Sequence, residues 1–419
     1  MILKERRSFL MKLFVGLDVS SQDAKICFLN GEGDCLQSFT ITNDLPGALI
    51  LKKKILDTAS KSNCKIIKIG LESTSIYSYH PAMFLHNDKE LRTYGSQVFM
   101  INPKQISNFK KSYPEMDKTD AIDAFVIADY VRFSRHTMSI VKEEQYMALQ
   151  QLTRSRYQLV HALTKEKQHF LQHLGLKCSQ FTQEVESSVF GNAMMELFLE
   201  RFSLEELAQM PLQELVLFLQ EKGKKRFGNP EDVAKSIQKA IKGSYRLSKV
   251  VEDSIDLLLS TSIQIMRTYQ AQIKEIEKGI ESLMSTLPQT LESIPGVGPV
   301  FAAGIVAEIG QIDRFADETR IAKYAGLFWK KYQSGRFTAE NTTLTKSGNP
   351  YLRYYLVEAA NSVRRHVPEY RDYYTKKSAE VPKHKHKRAL VLTARKFVRL
   401  VDALLRNNQI YAPGRGVDR

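Results

Sequence analysis

Short apolar runs with polar punctuation open the chain and give way to long helical periodicities. KLFVGLD, DAKICFL and CLQSFTI, between Lys12 and Ile41, are rich in β-branched and aromatic residues. The turns between them contain Asn30-Gly31 and Gly33-Asp34, so these runs predict a three-strand meander. A helix follows through LILKKKILDTA, with Asn43 as its expected N-cap. CKIIKIGLE reads as a fourth strand ending on Glu72, and SQVFMI as a fifth. Asn102-Pro103 opens a short basic helix, and KTDAIDA leads into the apolar helix AFVIADYV. Alternating strands and helices over residues 12 to 135 predict an α/β domain; the order is that of an RNase H-like fold, though other α/β folds share it.

From about residue 143 the apolar spacing changes to alternating threes and fours. Leu149, Leu152, Leu159, Leu163 and Phe170 form one stripe, and Ile255, Leu259, Met266, Tyr269, Ile273, Ile276, Ile280 and Leu283 form another. This is a heptad seam, which can close within one chain or between two. An insert over roughly 175 to 245 contains Ser203 with Glu206 three residues on, a capping-box spacing. Pro288 ends the second long helix. The remainder starts with SIPGVGPVFAAGIVAEIG and closes on the helical patterns YLRYYLVEAANSVRR and HKRALVLTARKFVRLVDALL. The expected organisation is therefore α/β plus α: an α/β domain over 1–140, a helical coiled-coil connector over 141–287, and a mainly helical domain over 288–410.

The 419 residues carry 61 Lys and Arg against 46 Asp and Glu, a formal net charge of +15. Such a surplus suits a polyanionic partner, nucleic acid first, although charge by itself also fits a merely basic surface. Cys27, Cys35, Cys64 and Cys178 show no CxxC spacing. Neither a disulfide framework nor a zinc site is expected, and a reducing cytoplasm fits. MILKERRSFLMKLF lacks an uninterrupted apolar core, and no apolar stretch of membrane-spanning length occurs. The expectation is a cytoplasmic protein with no membrane partner.

Within these patterns four acids stand out. Asp18 interrupts the apolar first strand, where a carboxylate is costly unless it is paired, binds a metal or reaches solvent at the strand end. Glu72 ends the fourth strand in the same way. Asp120 and Asp123 are three residues apart and share one helical face. Asp117 could instead cap that helix with Asp120 at N3, since acids are favoured in a first turn. If the helix packs on the sheet, all four acids converge. Four carboxylates make a hard-oxygen site for Mg2+, with two ions at about 4 Å able to serve an in-line phosphoryl transfer.

GLDVS, GLESTSIY, INPKQISNF and KTDAIDA resemble the N-terminal DEDD domain of the IS-one-ten family of insertion-sequence transposases, itself similar to Holliday-junction resolvases of the RuvC type. SIPGVGPVFAAGIVAEIG, KYAGLFWKKYQSG and TKSGNPYLRYYLVEAA resemble the family's C-terminal motifs in the same order. Two departures lie beside the matched motifs: Ser75 stands where a glycine is usual, and Phe328-Trp329-Lys330 where a proline commonly follows AGL. The resemblance implies an RNase H-like (RuvC-like) first domain and a DNA transposase or recombinase. It further implies metal ligation by Asp18, Glu72, Asp120 and Asp123, and a covalent phosphoserine intermediate.

Two Ser-Gly pairs, Ser334-Gly335 and Ser347-Gly348, offer candidate hydroxyls, and an unactivated serine is a poor nucleophile. The resemblance selects Ser334, because family members place a serine before glycine in the tyrosine-containing loop after AGL. It leaves Lys346, Asn349 and Arg353 as nucleic-acid contacts. SIPGVGPV has helix-hairpin-helix spacing, in which Gly296 and Gly298 let backbone N–H groups approach a phosphate; an ordinary tight turn has the same spacing. The implied partners are DNA, both element ends and target, a structured non-coding guide RNA, and further copies of the chain as a dimer or tetramer. A junction-resolving metal-dependent nuclease without a covalent intermediate is the alternative reading.

Overall fold

The computed structural model describes residues 12–73, 76–113, 120–133, 144–224, 227–329, 333–334, 337–338, 344–345 and 347–413; for Ile76, Lys104, Asp120, Ala121, Gln333, Ser334, Phe337 and Thr338 it describes the backbone alone. The first strands are β1 (Lys12–Val19), β2 (Asp23–Leu29), β3 (Cys35–Thr42), β4 (Ile66–Glu72) and β5 (Gln97–Ile101). They form one sheet in the order β3-β2-β1-β4-β5. β1, β2 and β3 are the antiparallel meander, whereas β4 runs parallel to β1 and to β5.

Alternation sorts the two faces. Leu13, Val15 and Leu17 of β1 and Ile67, Ile69 and Leu71 of β4 face a fully buried layer. They pack there with Leu51 and Ile55 of α1 (Leu45–Lys61) and Leu85 of α2 (Tyr79–Asn87), beside α3 (Lys89–Thr93). The opposite face takes α4 (Pro103–Lys110) and α5 (Asp120–Phe133), whose Ala124, Ile127, Ala128 and Val131 pack with Phe14 and Leu29. The α1 N-cap is Asp44, which accepts from Gly47 N at 2.8 Å. Asn43, the expected cap, instead donates from Nδ2 to Ser20 O at 2.9 Å and Tyr77 O at 3.3 Å, tying together the loops that follow β1 and β4.

α6 (Glu144–Lys177) is the first long helix. The insert after it holds α7 (Phe181–Glu184), α8 (Asn192–Leu199), α9 (Leu204–Gln209), α10 (Leu212–Lys222) and α11 (Pro230–Gly243), and α12 (Lys249–Met284) returns. Arg156 meets Glu277 at 2.7 Å, Ser262 Oγ donates to Glu166 at 2.5 Å, and Lys177 meets Asp256. Partners that step forward on α6 and backward on α12 define an antiparallel hairpin, so the heptad seam closes within the chain. Its far end shares a core with the insert, where the Ser203/Glu206 capping box is formed. Its near end, through Leu149, Ile280 and Met284, shares a core with the last helices: α13 (Pro299–Ile309), α14 (Glu318–Tyr324), α15 (Pro350–His366), α16 (Pro368–Ala379) and α17 (Lys385–Asn407). Between α14 and α15, β6 (Gln333–Ser334) pairs antiparallel with β7 (Phe337–Thr338).

Candidate active site

β1 and β4 run parallel in the register Gly16↔Gly70 and Leu17↔Leu71, so Asp18 and Glu72 come next on adjacent strands, on the α5 side. The two glycines decide how near α5 can come. A Cβ on Gly16 would sit 2.1 Å from Ala124 O and 2.4 Å from Ala128 N; one on Gly70 would sit 2.4 Å from Val131 Cγ2. The helix backbone therefore rests in a groove that only glycine leaves open, and this close seat brings Asp123 to the strand ends.

Electrostatics report the same gathering. Burial pushes the Glu72 carboxyl above the usual carboxylate range, and the charges of Asp18 and Asp123 push it further. Charges from β1 and α5 thus act on the Glu72 carboxyl of β4. The Asp120 backbone begins α5, one turn before Asp123, and its side chain is outside the described residues. Among the described residues no three His, Cys, Asp or Glu side chains are arranged to hold an ion as they stand. In type they suit a hard divalent cation, which takes oxygen ligands and would relieve the repulsion between them.

Polar side chains hold α5 at both ends, near the acids and near the β2–β3 turn. Lys110, at the end of α4, donates to Asp123 Oδ1 at 2.5 Å and places a positive charge beside the acids. Asp129, one face round on α5, is buried and accepts from Tyr113 Oη and from Arg132 Nε at 2.6 Å. Arg132 Nη1 also reaches Gly31 O at 3.4 Å, in the β2–β3 turn. Asp129 interrupts the apolar run AFVIADYV, a signal of the kind that picked out Asp18.

The C-terminal candidates fall in different settings. Ser334 pairs with Phe337 in the β6–β7 hairpin, a sheet separate from the one that carries the acids. Lys346 lies outside the described residues. Gly296 has φ +92°, and a Cβ there would meet His366 and Ser362, so it serves a tight turn packed on α15. Gly298 is the N-cap of α13 with open space where a Cβ would be. Arg353 donates from Nη1 to Ala325 O at 3.0 Å. Asn349 is buried: Oδ1 caps α15 by accepting from Tyr351 N and Leu352 N, each at 3.0 Å, and Nδ2 donates to Glu308 at 2.6 Å. Its side chain is spent inside the domain.

Glu308, absent from the sequence-based candidates, is fully buried on the apolar helix α13. Besides Asn349 it accepts from Gln150 Nε2 at 2.8 Å and from Arg154, Nε at 2.7 Å and Nη2 at 3.0 Å. A cleft of about 2270 Å³ opens between this region and the α/β domain. Arg154, Arg314, Arg320 and Lys323 line one side, and Ser73, Ile101 and Asn102, at the ends of β4 and β5, line the other. Ser73 directly follows Glu72, whereas neither Asp18 nor Glu72 lines the cleft.

Clustered acids at the strand ends of one domain and a serine-bearing hairpin in another coincide with two transposase family matches. A DEDD transposase family of the IS110 type matches residues 15–178, and the Transposase IS116/IS110/IS902 family matches residues 288–375. The chain belongs to the IS110 family of transposases. It is 25% identical to the uncharacterized 44.8 kDa protein of insertion element IS116 from Streptomyces clavuligerus, over 96% of both chains. Identity is also 25% to the uncharacterized 43.6 kDa protein of insertion element IS110 from Streptomyces coelicolor, over 76% of this chain and 78% of that one. The transposase for insertion sequence element IS1111A of Coxiella burnetii is 30% identical over 35% of this chain and 39% of its own length. Among the described residues no helix is long and apolar enough to cross a membrane.

Proposed function

We propose that this transposase breaks and rejoins DNA strands in a magnesium-dependent reaction that passes through a phosphoserine. Asp18, Glu72, Asp120 and Asp123 would hold the ion, and Ser334 is the nucleophile. The observation that carries the reading is the placement of Asp18 and Glu72 at adjoining strand ends, with Asp123 of α5 close enough for its charge to act on Glu72. The strand order β3-β2-β1-β4-β5 supports assigning the first domain to the RNase H-like, RuvC-like class, and the turn before α13 supports a helix-hairpin-helix-like segment. Bound Mg2+ supplies charge stabilisation at the phosphate oxygens. The Ser334 hydroxyl loses its proton and its Oγ bonds to phosphorus. The bond from phosphorus to the leaving deoxyribose oxygen breaks, and that oxygen takes up a proton. Because the ester keeps the bond energy, a second deoxyribose hydroxyl can displace Ser334 and reseal the strand without ATP.

Acids and serine stand in separate sheets, which favours a composite site assembled from more than one copy of the chain. The net charge of +15 suits RNA as well as DNA, and a structured guide RNA is the further partner that the family resemblance implies. Incubation with element-end DNA and Mg2+, then denaturing electrophoresis, tests the chemistry. Wild type should give a protein–DNA adduct that Ser334→Ala abolishes. Strand cleavage at the wild-type rate by Ser334→Ala would place the chain with water-using junction nucleases instead. Adding or withholding the transcript adjacent to the element tests the RNA partner, and the mass of the assembled complex tests the copy number.

A further inference from the structure

The segment that carries Ser334 lies between α14 and Asn349, and its two roots are tied. Asn349 N donates to Tyr324 O at 2.6 Å, and Thr345 N to Phe328 O at 3.1 Å. Trp329 bridges Leu344, and Ser334 pairs with Phe337, so the described pairings between these roots are antiparallel and lead toward the serine. Gly348 is pressed on the other root, since a Cβ there would lie 2.5 Å from Tyr324 O and 2.6 Å from Gly326 N.

Beneath these roots sits Glu308. Its carboxylate is fully buried on a helix whose Ile305, Val306, Ala307 and Ile309 are also buried. A carboxylate in such a place is tolerated only because donors surround it. For stability alone an apolar side chain of similar volume would serve as well, because burying an ion pair sacrifices its hydration. What the carboxylate adds is direction. The Arg154 guanidinium grips it as a two-pronged fork from α6, a geometry with a fixed orientation. Asn349 Nδ2 donates to it from the start of α15 at 2.6 Å, and to Tyr324 Oη at 3.2 Å.

We propose that Glu308 is a positioning residue for the nucleophilic serine: by joining Arg154 and Gln150 of α6 to Asn349, it fixes the root of the Ser334 segment against the helical hairpin. This rests on Ser334 being the nucleophile. Two variants test it. Glu308→Gln keeps the shape and removes the charge that holds Arg154. Asn349→Ser keeps an oxygen to cap α15 but has no amide to reach Glu308. Adduct formation on element-end DNA, DNA affinity and amide hydrogen exchange are measured on the full chain.

In both variants adduct formation should slow by about tenfold or more, as expected when a reacting group is misplaced. DNA affinity should stay at the wild-type value, and exchange should rise over residues 344–352 while the rest of the chain exchanges as before. Wild-type adduct rates, unchanged exchange at 344–352, or global unfolding of both variants would overturn the proposal, the last by making Glu308 a residue of general stability. If Ser334→Ala still forms the adduct, the serine reading fails, whereas the exchange over 344–352 still reports whether Glu308 holds the root.

Discussion

Gly16→Ala puts the seat of α5 to a direct test. The new Cβ would stand 2.1 Å from Ala124 O, 2.4 Å from Ala128 N and 2.9 Å from Ala128 Cβ. Two of these atoms belong to the helix backbone, which cannot rotate aside. Ordinary contact starts at 3.4 Å, so α5 must retreat from β1 by roughly 1 Å or more. Overpacking of this kind costs about 1–3 kcal/mol, and the backbone contact puts this case near about 3. For a domain of this size that lowers the melting temperature on the order of 10 °C. The retreat also carries Asp123 away from Asp18 and Glu72, and a misplacement of about 1 Å costs roughly 10²-fold in rate. Gly70→Ala is the internal comparison. There the Cβ meets side-chain methyls rather than helix backbone, Val131 Cγ2 at 2.4 Å, Ile101 Cδ1 at 3.1 Å and Ile127 Cγ2 at 3.2 Å, so both losses should be smaller. Calorimetry of the full chain reads the stability, and strand cleavage on element-end DNA reads the rate. A Gly16→Ala protein as stable and as active as wild type, or a more damaging Gly70→Ala, would refute the argument that this groove sets the site.

Asp88 caps α3 through the Glu90 and Leu91 amides and meets Lys52 at 2.7 Å. Burial pushes its carboxyl up, but Lys52 and the two amides outweigh that and hold it below the usual range. Its contribution is therefore complete above the ordinary aspartate value of about 3.9 and is lost as the pH falls through the lowered native value. Asp88→Asn still caps α3 but loses the charge facing Lys52, and should cost up to about 1 kcal/mol in urea unfolding at neutral pH and nothing in strong acid; an equal cost at both would contradict this. In the insert, Lys177 is paired with Asp256 and also donates to Phe202 O at 2.6 Å. Asp256→Asn strands a buried ammonium and should cost about 3 kcal/mol, while Lys177→Met with Asp256→Leu should recover most of it. Calorimetry of the single and double variants decides, and a silent Asp256→Asn would sink the idea.

Local rules made much of the α/β domain legible, because the information sits within a few residues of each element. KLFVGLD, DAKICFL and IIKIGLE announce strands by composition, and Asn30-Gly31 announces a turn. The capping box at Ser203 and Glu206 is likewise a spacing of three. The α1 cap slipped by one residue because Asn43 and Asp44 are both good caps, and the choice between them depends on Ser20 and Tyr77, distant in sequence. The heptad seam could not name its own partner; that needed the pairing of Arg156 with Glu277 across the insert. Glu308 shows the limit most plainly. Its donors come from positions 150, 154 and 349, and no local pattern links them. Asn349 drew notice through a motif, but only its burial shows that its amide is used within the fold.

Titration of the purified full chain with Mn2+, followed by electron paramagnetic resonance, asks whether Asp18, Glu72 and Asp123 form one cation pocket. Wild type should take up the ion, and Asp18→Asn, Glu72→Gln and Asp123→Asn should each weaken uptake by about tenfold or more, with unchanged circular dichroism. Uptake that survives all three substitutions, or a folded wild type that takes up none, would contradict the pocket and the chemistry built on it.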